Sequence, residues 1–302
     1  MRKVLAASLA LGVLLASGAA SADWRDDLKV LRIGYLASDT PAADAQTLEP
    51  FRAYIEGAIT LPVELVPAPT YAALIEAEVD GRTQYAIHTA TSFAEADAAC
   101  ACLAPLAVPS GIDGSTGFYA ILLARADGPI RSLADARGKR LALAGSDSVA
   151  GRLVPMKAFA GEEGIDPATY FGAVSDYPGP QAAIAALLAG QSDLAVGWSS
   201  LSGDPAAGYA FGVLNRMVLD GRLTMDQVRI VWQSHLIPFG PHAVRRDLAP
   251  EIKALLADAL MSMVIVAPAA LEAVDRSGYG GGGFVAIDPG AYASVTGLQV
   301  TQ

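Results

Sequence analysis

The sequence predicts an α/β protein of two lobes, and three observations carry that reading. From Leu31 onward, short apolar strand patterns alternate with helix patterns, the rhythm of a parallel-type sheet covered by helices. The style changes at Gly111 to Gly117 (GIDGSTG), and a second strand–helix series follows. A further strand-like run, Gln227 to Trp232, then leads the chain back to helices. Two α/β halves joined by two extended crossings make a hinged molecule with a ligand cleft between its lobes. A single larger α/β domain is the alternative.

The elements follow in order. Val30 to Leu36 (VLRIGYL) reads as a strand, and Ala42 to Gly57 as a helix with Leu48, Phe51, Tyr54 and Ile55 on one face. Pro62 to Pro67 is a short strand. Thr70 is the N-cap of a helix over Tyr71 to Glu78. Tyr85 to Thr89 is a strand, and Ser92 starts another helix. Ser38, Asp39, Tyr71, His88 and Ser92 thus fall at strand ends, where ligands of such sheets sit. Phe118 to Ala126 is a long strand. The second series runs through a short helix at Leu133 to Ala136, a break at Gly138 and a strand at Arg140 to Ala144. It continues with a helix over 149–161, a strand at Ala173 to Ser175, a helix over 180–189 and a strand at Asp193 to Val196. Pro250 to Val266 and Ala269 to Asp275 read as helices, and Gly280 to Gly283 as a flexible loop.

The loop Gly145-Ser146-Asp147-Ser148 lies where a strand hands over to a helix. A helix start has free backbone N–H groups and a positive dipole end, so it can hold an anion. Ser148 or Asp147 can equally serve as a plain helix cap.

Bulk properties narrow the classes. Arg2 and Lys3, the apolar run from Val4 to Leu15 and Ala20-Ser21-Ala22 form the pattern of a secretory signal over residues 1–22, cut before Asp23. An uncleaved anchor is the alternative. The mature protein is expected to be periplasmic. Losing Arg2 and Lys3 moves the net charge from −10 to −12, which argues against nucleic acid and anionic membranes as partners. A small anion remains compatible, because backbone dipoles act locally. Cys100 and Cys102 are the only cysteines. They can form a tight C-x-C disulfide, stand as two thiols at a helix end, or join a histidine such as His235 or His242 on a metal. No G-x-S-x-G, H-E-x-x-H or phosphate-loop motif is present. Ser148, His88 and Asp147 supply triad residue types, but geometry defines a triad. No enzyme activity, cofactor or metal is expected.

From Leu31 to Tyr292 the chain resembles the periplasmic phosphate-, phosphite- and phosphonate-binding proteins of ABC transporters. The resemblance rests on PTYAALIEA (Pro69 to Ala77), SLADARGKRLALAGSDSVAG (Ser132 to Gly151), AAIAALLAGQSDLAV (Ala182 to Val196) and VRIVWQSHLIPFGP (Val228 to Pro241), in the family's order. It implies a type II periplasmic binding protein fold with a two-strand hinge. Lobe 1 would span 23–121 and the return segment 240–302, and lobe 2 would span 122–239. It also implies a monomer that closes on a small oxyanion and delivers it to an inner-membrane ABC permease. Tyr71 matches the family's ligand-binding tyrosine. Ser148 matches the first serine of its Ser-Thr-Ser-Gly loop, and Gly151 that loop's glycine.

The departures shape the expected ligand. Val149 and Ala150 replace two hydroxyl residues, leaving their backbone N–H groups as donors. Pro180 and Gln181 stand where the family often has a histidine. Gly197-Trp198-Ser199-Ser200 and Phe239-Gly240 lack the acids that the phosphonate binders use for an amino group. His88 replaces an aromatic residue, and its imidazole can donate to an oxyanion. Trp198 and Phe239 are expected in the cleft wall. The ligand-binding set is therefore Tyr71, His88, Ser148, Val149, Ala150, Gly151, Trp198 and Phe239. A carboxylate, sulfonate or uncharged solute is the alternative ligand, and an exported sensor or metal-handling accessory protein is the alternative role.

Overall fold

A computed structural model describes residues 24–275 and 281–298. The signal pattern over residues 1–22 and Gly280 lie outside the described residues. Two six-stranded sheets organise the rest. The first holds β1 (Leu31–Leu36), β2 (Val63–Ala68), β3 (Tyr85–Ile87), β4 (Leu103–Gly111), β11 (His242–Arg245) and β12 (Gly281–Val285), in the order β12-β4-β11-β3-β1-β2. The second holds β5 (Gly117–Arg125), β6 (Arg140–Leu143), β7 (Ala173–Asp176), β8 (Leu194–Ser199), β9 (Val228–Gln233) and β10 (Ile237–Pro238). Its order is β10-β5-β8-β6-β7, with β9 also on β5.

Both sheets are mixed. β1 pairs parallel with β2 and β3, and β6 pairs parallel with β7 and β8. Strands β4, β5, β9, β10, β11 and β12 add antiparallel ladders. The parallel part is the βα repeat read from the sequence. The antiparallel part comes from the two crossings and the returning chain.

Helices cover the sheets because their apolar stripes need burial. In the first lobe these are α2 (Pro41–Ile59), α3 (Tyr71–Val79), α4 (Ala90–Cys100), α9 (Pro250–Val266) and α10 (Pro268–Val274), with the short α1 (Trp24–Asp27) ahead of them. Leu48, Phe51, Ile55 and Ile59 of α2 pack with Leu31 and Ile33 of β1 and Leu256, Leu260 and Met263 of α9. The second lobe carries α5 (Val154–Gly161), α6 (Pro167–Tyr170), α7 (Pro180–Leu188) and α8 (Val213–Leu219).

Three local expectations change. The helix expected over 149–161 opens with a π-helical turn, Val149–Leu153, and becomes α-helical only at Val154. Gly281 to Gly283 belong to β12 rather than to a loop, because pairing with β4 outweighs the glycine signal. Cys100 and Cys102 are neither free thiols nor metal ligands but a disulfide at the end of α4, with Cα atoms 5.0 Å apart.

The chain passes from the first sheet to the second at Ile112 to Thr116 and returns at Phe239 to Pro241. The return is tight. A Cβ on Gly240 would lie 1.9 Å from the carbonyl oxygen of His88, so only glycine fits there. The C-terminal segment makes a third link. Its 3₁₀ turn, Pro289–Ser294, places Tyr292 against Phe93 of α4, with ring centroids 4.7 Å apart. The Tyr292 hydroxyl donates to the Phe239 carbonyl, and Lys157 of α5 donates to the carbonyls of Ala293 and Thr296. One apolar cluster accordingly mixes Ile75, Phe93 and Leu103 with Ala120 and Ile237 from the second sheet and Val154 from α5, sealed by Tyr292 and Val295.

Candidate functional site

A cavity of about 600 Å³ opens between the two sheets. Tyr35 and Leu36 at the end of β1, His88 and Thr89 beyond β3, and Tyr71 at the start of α3 line one side. Ala90, Thr91 and Ser92 bring the first turn of α4 to the same wall. Phe118, Asp147 and Val149 come from the second lobe, and Ile237, Pro238, Phe239 and Gly240 from the return crossing. The space lies at the carboxyl ends of β1, β3 and β6, where a βα sheet leaves its loops and helix starts.

Three helix starts meet there, and each is capped by a hydroxyl. Thr70 Oγ1 accepts from Ala73 N–H. Thr89 Oγ1 accepts from Ser92 N–H, while Ser92 Oγ accepts from Thr89 N–H, a reciprocal capping box. Ser148 Oγ accepts from Gly151 N–H at 3.2 Å. A cap side chain satisfies the third N–H of its helix and leaves the first two without an intrahelical acceptor. Of the residues at those first positions, Ala90, Thr91 and Val149 line the cavity, and Tyr71 stands beside them at the start of α3. The arrangement can hold an anion by backbone N–H groups and helix dipoles.

Charge in the wall is of one sign. Among the described residues no lysine or arginine lines the cavity, whereas the exposed carboxylates Glu95 and Asp147 do. Most other lining side chains are apolar or aromatic.

The expected site residues divide into three groups. Tyr71, His88, Val149 and Phe239 line the cavity. Ser148, Ala150 and Gly151 flank Val149 in the chain but are not among the lining residues. Ala150 is buried, and the Gly151 N–H already has Ser148 Oγ as its acceptor. A Cβ on Gly151 would come within 2.5 Å of the Ala144 Cβ, so the turn needs glycine. Trp198 faces a second hollow of about 650 Å³ with Gln181, Phe211, Asn215 and Arg216. Phe118 lies between the two spaces, its ring 5.1 Å from Trp198 and 6.2 Å from Phe239. Ser38 and Asp39 belong to a separate surface hollow.

His88 does not stand free in the wall. Its Nε2 is 2.6 Å from Glu78 Oε2 and its Nδ1 is 3.0 Å from Ser92 Oγ. No hydrogen bond joins it to Ser148 or Asp147, so those three residues form no triad. Nearby, His242 pairs through Nδ1 with the Tyr85 hydroxyl. Burial, and to a lesser degree the neighbouring His88, push its pKa down to about 3, so it is neutral near pH 7. His235 stands apart, 3.5 Å from Glu162. Sequence reasoning missed Glu78. The available signal was its place on the buried stripe of α3 with Leu74 and Ile75, four and three residues earlier.

Known proteins can be set beside this geometry. The model of a family described as "ABC transporter, phosphonate, periplasmic substrate-binding protein" matches residues 33–292. The phosphate-import protein PhnD of Mycolicibacterium smegmatis is 30% identical over 194 residues, which is 63% of this chain and 58% of that relative. Among solved structures, XAC2383 from Xanthomonas citri bound to chloride ion superposes with a TM-score of 0.59 at 22% identity, covering 89% of this chain and 98% of that one. The same protein bound to ATP gives a TM-score of 0.60 at 20% identity, with 89% and 97% covered. At those identities the structures show a shared fold.

Proposed function

Because the chain belongs to the family of periplasmic substrate-binding proteins of phosphonate ABC transporters, we propose that it captures a small organic oxyanion between its lobes, as a monomer, and hands it to a membrane permease. The observation that carries this reading is the meeting of three helix first turns on one apolar cavity that spans both sheets. Backbone N–H groups of Ala90, Thr91 and Val149 hold the oxygens, with the Tyr71 side chain beside them. The Ser148 hydroxyl, whose oxygen already accepts from Gly151, has its proton to give. Phe118, Phe239 and Ile237 shelter the organic part. Closure of one lobe on the other completes the site.

The carboxylates of Glu95 and Asp147, with no lining cation among the described residues, favour a singly charged head group. An alkylphosphonate monoanion, a sulfonate or a carboxylate meets that condition better than a phosphate dianion. A thermal-shift panel of phosphate, phosphite, methylphosphonate, aminoethylphosphonate, methanesulfonate, sulfate and small carboxylates tests it. A ligand at a hundred times its Kd stabilises the fold by about 2.7 kcal/mol. The expected responders are singly charged organic oxyanions. A response to inorganic phosphate alone would overturn the charge argument, and silence across the panel would overturn the oxyanion reading. Ser148→Ala is expected to weaken binding of the responding ligand roughly 5- to 30-fold. Unchanged affinity would remove Ser148 from the site.

A further inference from the structure

Beneath the cavity wall runs a buried chain of three side chains. Glu78 is fully buried on α3, and its Oε1 has no hydrogen-bond partner. A buried carboxylate is costly unless paired. Its Oε2 meets His88 Nε2 at 2.6 Å, and neither side chain has any exposed surface. The other imidazole nitrogen faces Ser92 Oγ at 3.0 Å. Ser92 is the third residue of α4, and its Oγ is also the acceptor for Thr89 N–H in the capping box. The next link, Thr89 to Thr91, lines the cavity.

A serine hydroxyl has one proton to place. When His88 carries both ring protons, Nδ1–H donates to Ser92 Oγ, and the Ser92 proton turns to the Thr89 carbonyl oxygen, 3.2 Å away. When His88 is neutral with its proton on Nε2 toward Glu78, Nδ1 accepts the Ser92 proton instead. The two states differ in the hydrogen bonding of the α4 first turn and in the charge beneath it.

We propose that Glu78 and His88 are positioning residues of the ligand site, acting through Ser92 on the first turn of α4 so that oxyanion affinity follows the protonation of His88. The proposal rests on the reading of the cavity as an oxyanion site. The groups facing His88 are few. Glu78 comes from α3, and Ser92 and the Phe93 ring come from α4, the latter 6.0 Å away. From β11 come His242, which is bonded to Tyr85 of β3, and Arg245, whose guanidinium donates to the carbonyls of Glu78 and Val79. Glu95 of α4 and Asp147 of the second lobe are the other acids lining the cavity. His242 stays neutral, held down by burial, so it does not compete as a charge above about pH 4. The series also differs from a hydrolytic triad. Ser92 is only 3% exposed and its oxygen is engaged in the cap, so no nucleophile is presented.

Methanesulfonate is the probe of choice, because its own charge is constant from about pH 5 to pH 8, the range in which histidine switches occur. Titration calorimetry across that range is expected to show affinity rising roughly fivefold toward the acid end, the scale of one charge-assisted hydrogen bond. In His88→Gln and Ser92→Ala the profile flattens. A profile unchanged in His88→Gln overturns the proposal. Ligand-free NMR gives a readout independent of any probe. The amides of Ala90 and Thr91 are expected to titrate together with the His88 ring, and to stop doing so in Ser92→Ala. If methanesulfonate and methylphosphonate both fail to bind, the oxyanion reading falls while the NMR result still decides the relay. Amides that ignore the His88 titration overturn it even where binding is tight.

Discussion

Burial makes His242 a witness to acid stability. Its folded-state pKa lies at about 3, below the ordinary histidine value, so the folded protein binds fewer protons there than the unfolded chain. Its contribution is fully present above the unfolded pKa, about 6.5, and is lost as pH falls from there toward 3. At pH 5 the loss amounts to about 2 kcal/mol. Urea midpoints at pH 7 and pH 5 are expected to differ accordingly. The gap should narrow in His242→Gln, whose amide can still meet the Tyr85 hydroxyl but does not titrate. An equal gap in both proteins would assign the acid loss to other groups. At this same scale the sequence was legible for residues whose role is local, such as the caps Thr70 and Ser148. It was not legible for Glu78, because a carboxylate on an apolar stripe reads as an error until His88 is seen opposite it.

Elements set by local signals were readable, and those set by distant pairing were not. The helix over Pro250–Val266 matches its expected bounds because a proline opens it and sixteen residues without glycine or proline follow. β11 has only four residues and no alternation, and it exists because it slots between β3 and β4. β12 carries three glycines, a loop signal that pairing with β4 overrides. The opening π turn of the helix after Ser148 likewise leaves no mark in the side-chain period. The C-terminal 3₁₀ turn has an exposed fastening, the ammonium of Lys157 on the carbonyls of Ala293 and Thr296. Lys157→Met is expected to cost about 1 kcal/mol of stability, since exposed hydrogen bonds of this kind contribute little more. Hydrogen exchange read by mass spectrometry should speed up in residues 289–298 first. Unchanged exchange there would mean that Tyr292 and Val295 alone hold the segment.

The two sheets, their crossings and the cavity between them make closure the expected motion of the whole molecule. Small-angle scattering is expected to show a smaller radius of gyration when a responding ligand is added, and no change with an unresponsive one. A ligand that stabilises the fold without contraction would mean capture in an already closed site. The sheet order also dictates a sequence of assembly. All six strands of the second sheet lie in one unbroken stretch, Gly117 to Pro238, so that half can be completed as soon as its own residues are free to fold. The first sheet starts earlier but finishes later. β3 and β4 do not pair with each other, and both wait for His242–Arg245, synthesised more than a hundred residues afterward, to fill the gap between them. Until then, the strand edges that flank the future site stay open, and an unpaired edge is where a nascent chain finds the wrong partner. The half of the protein made first is therefore the half that most needs a chaperone.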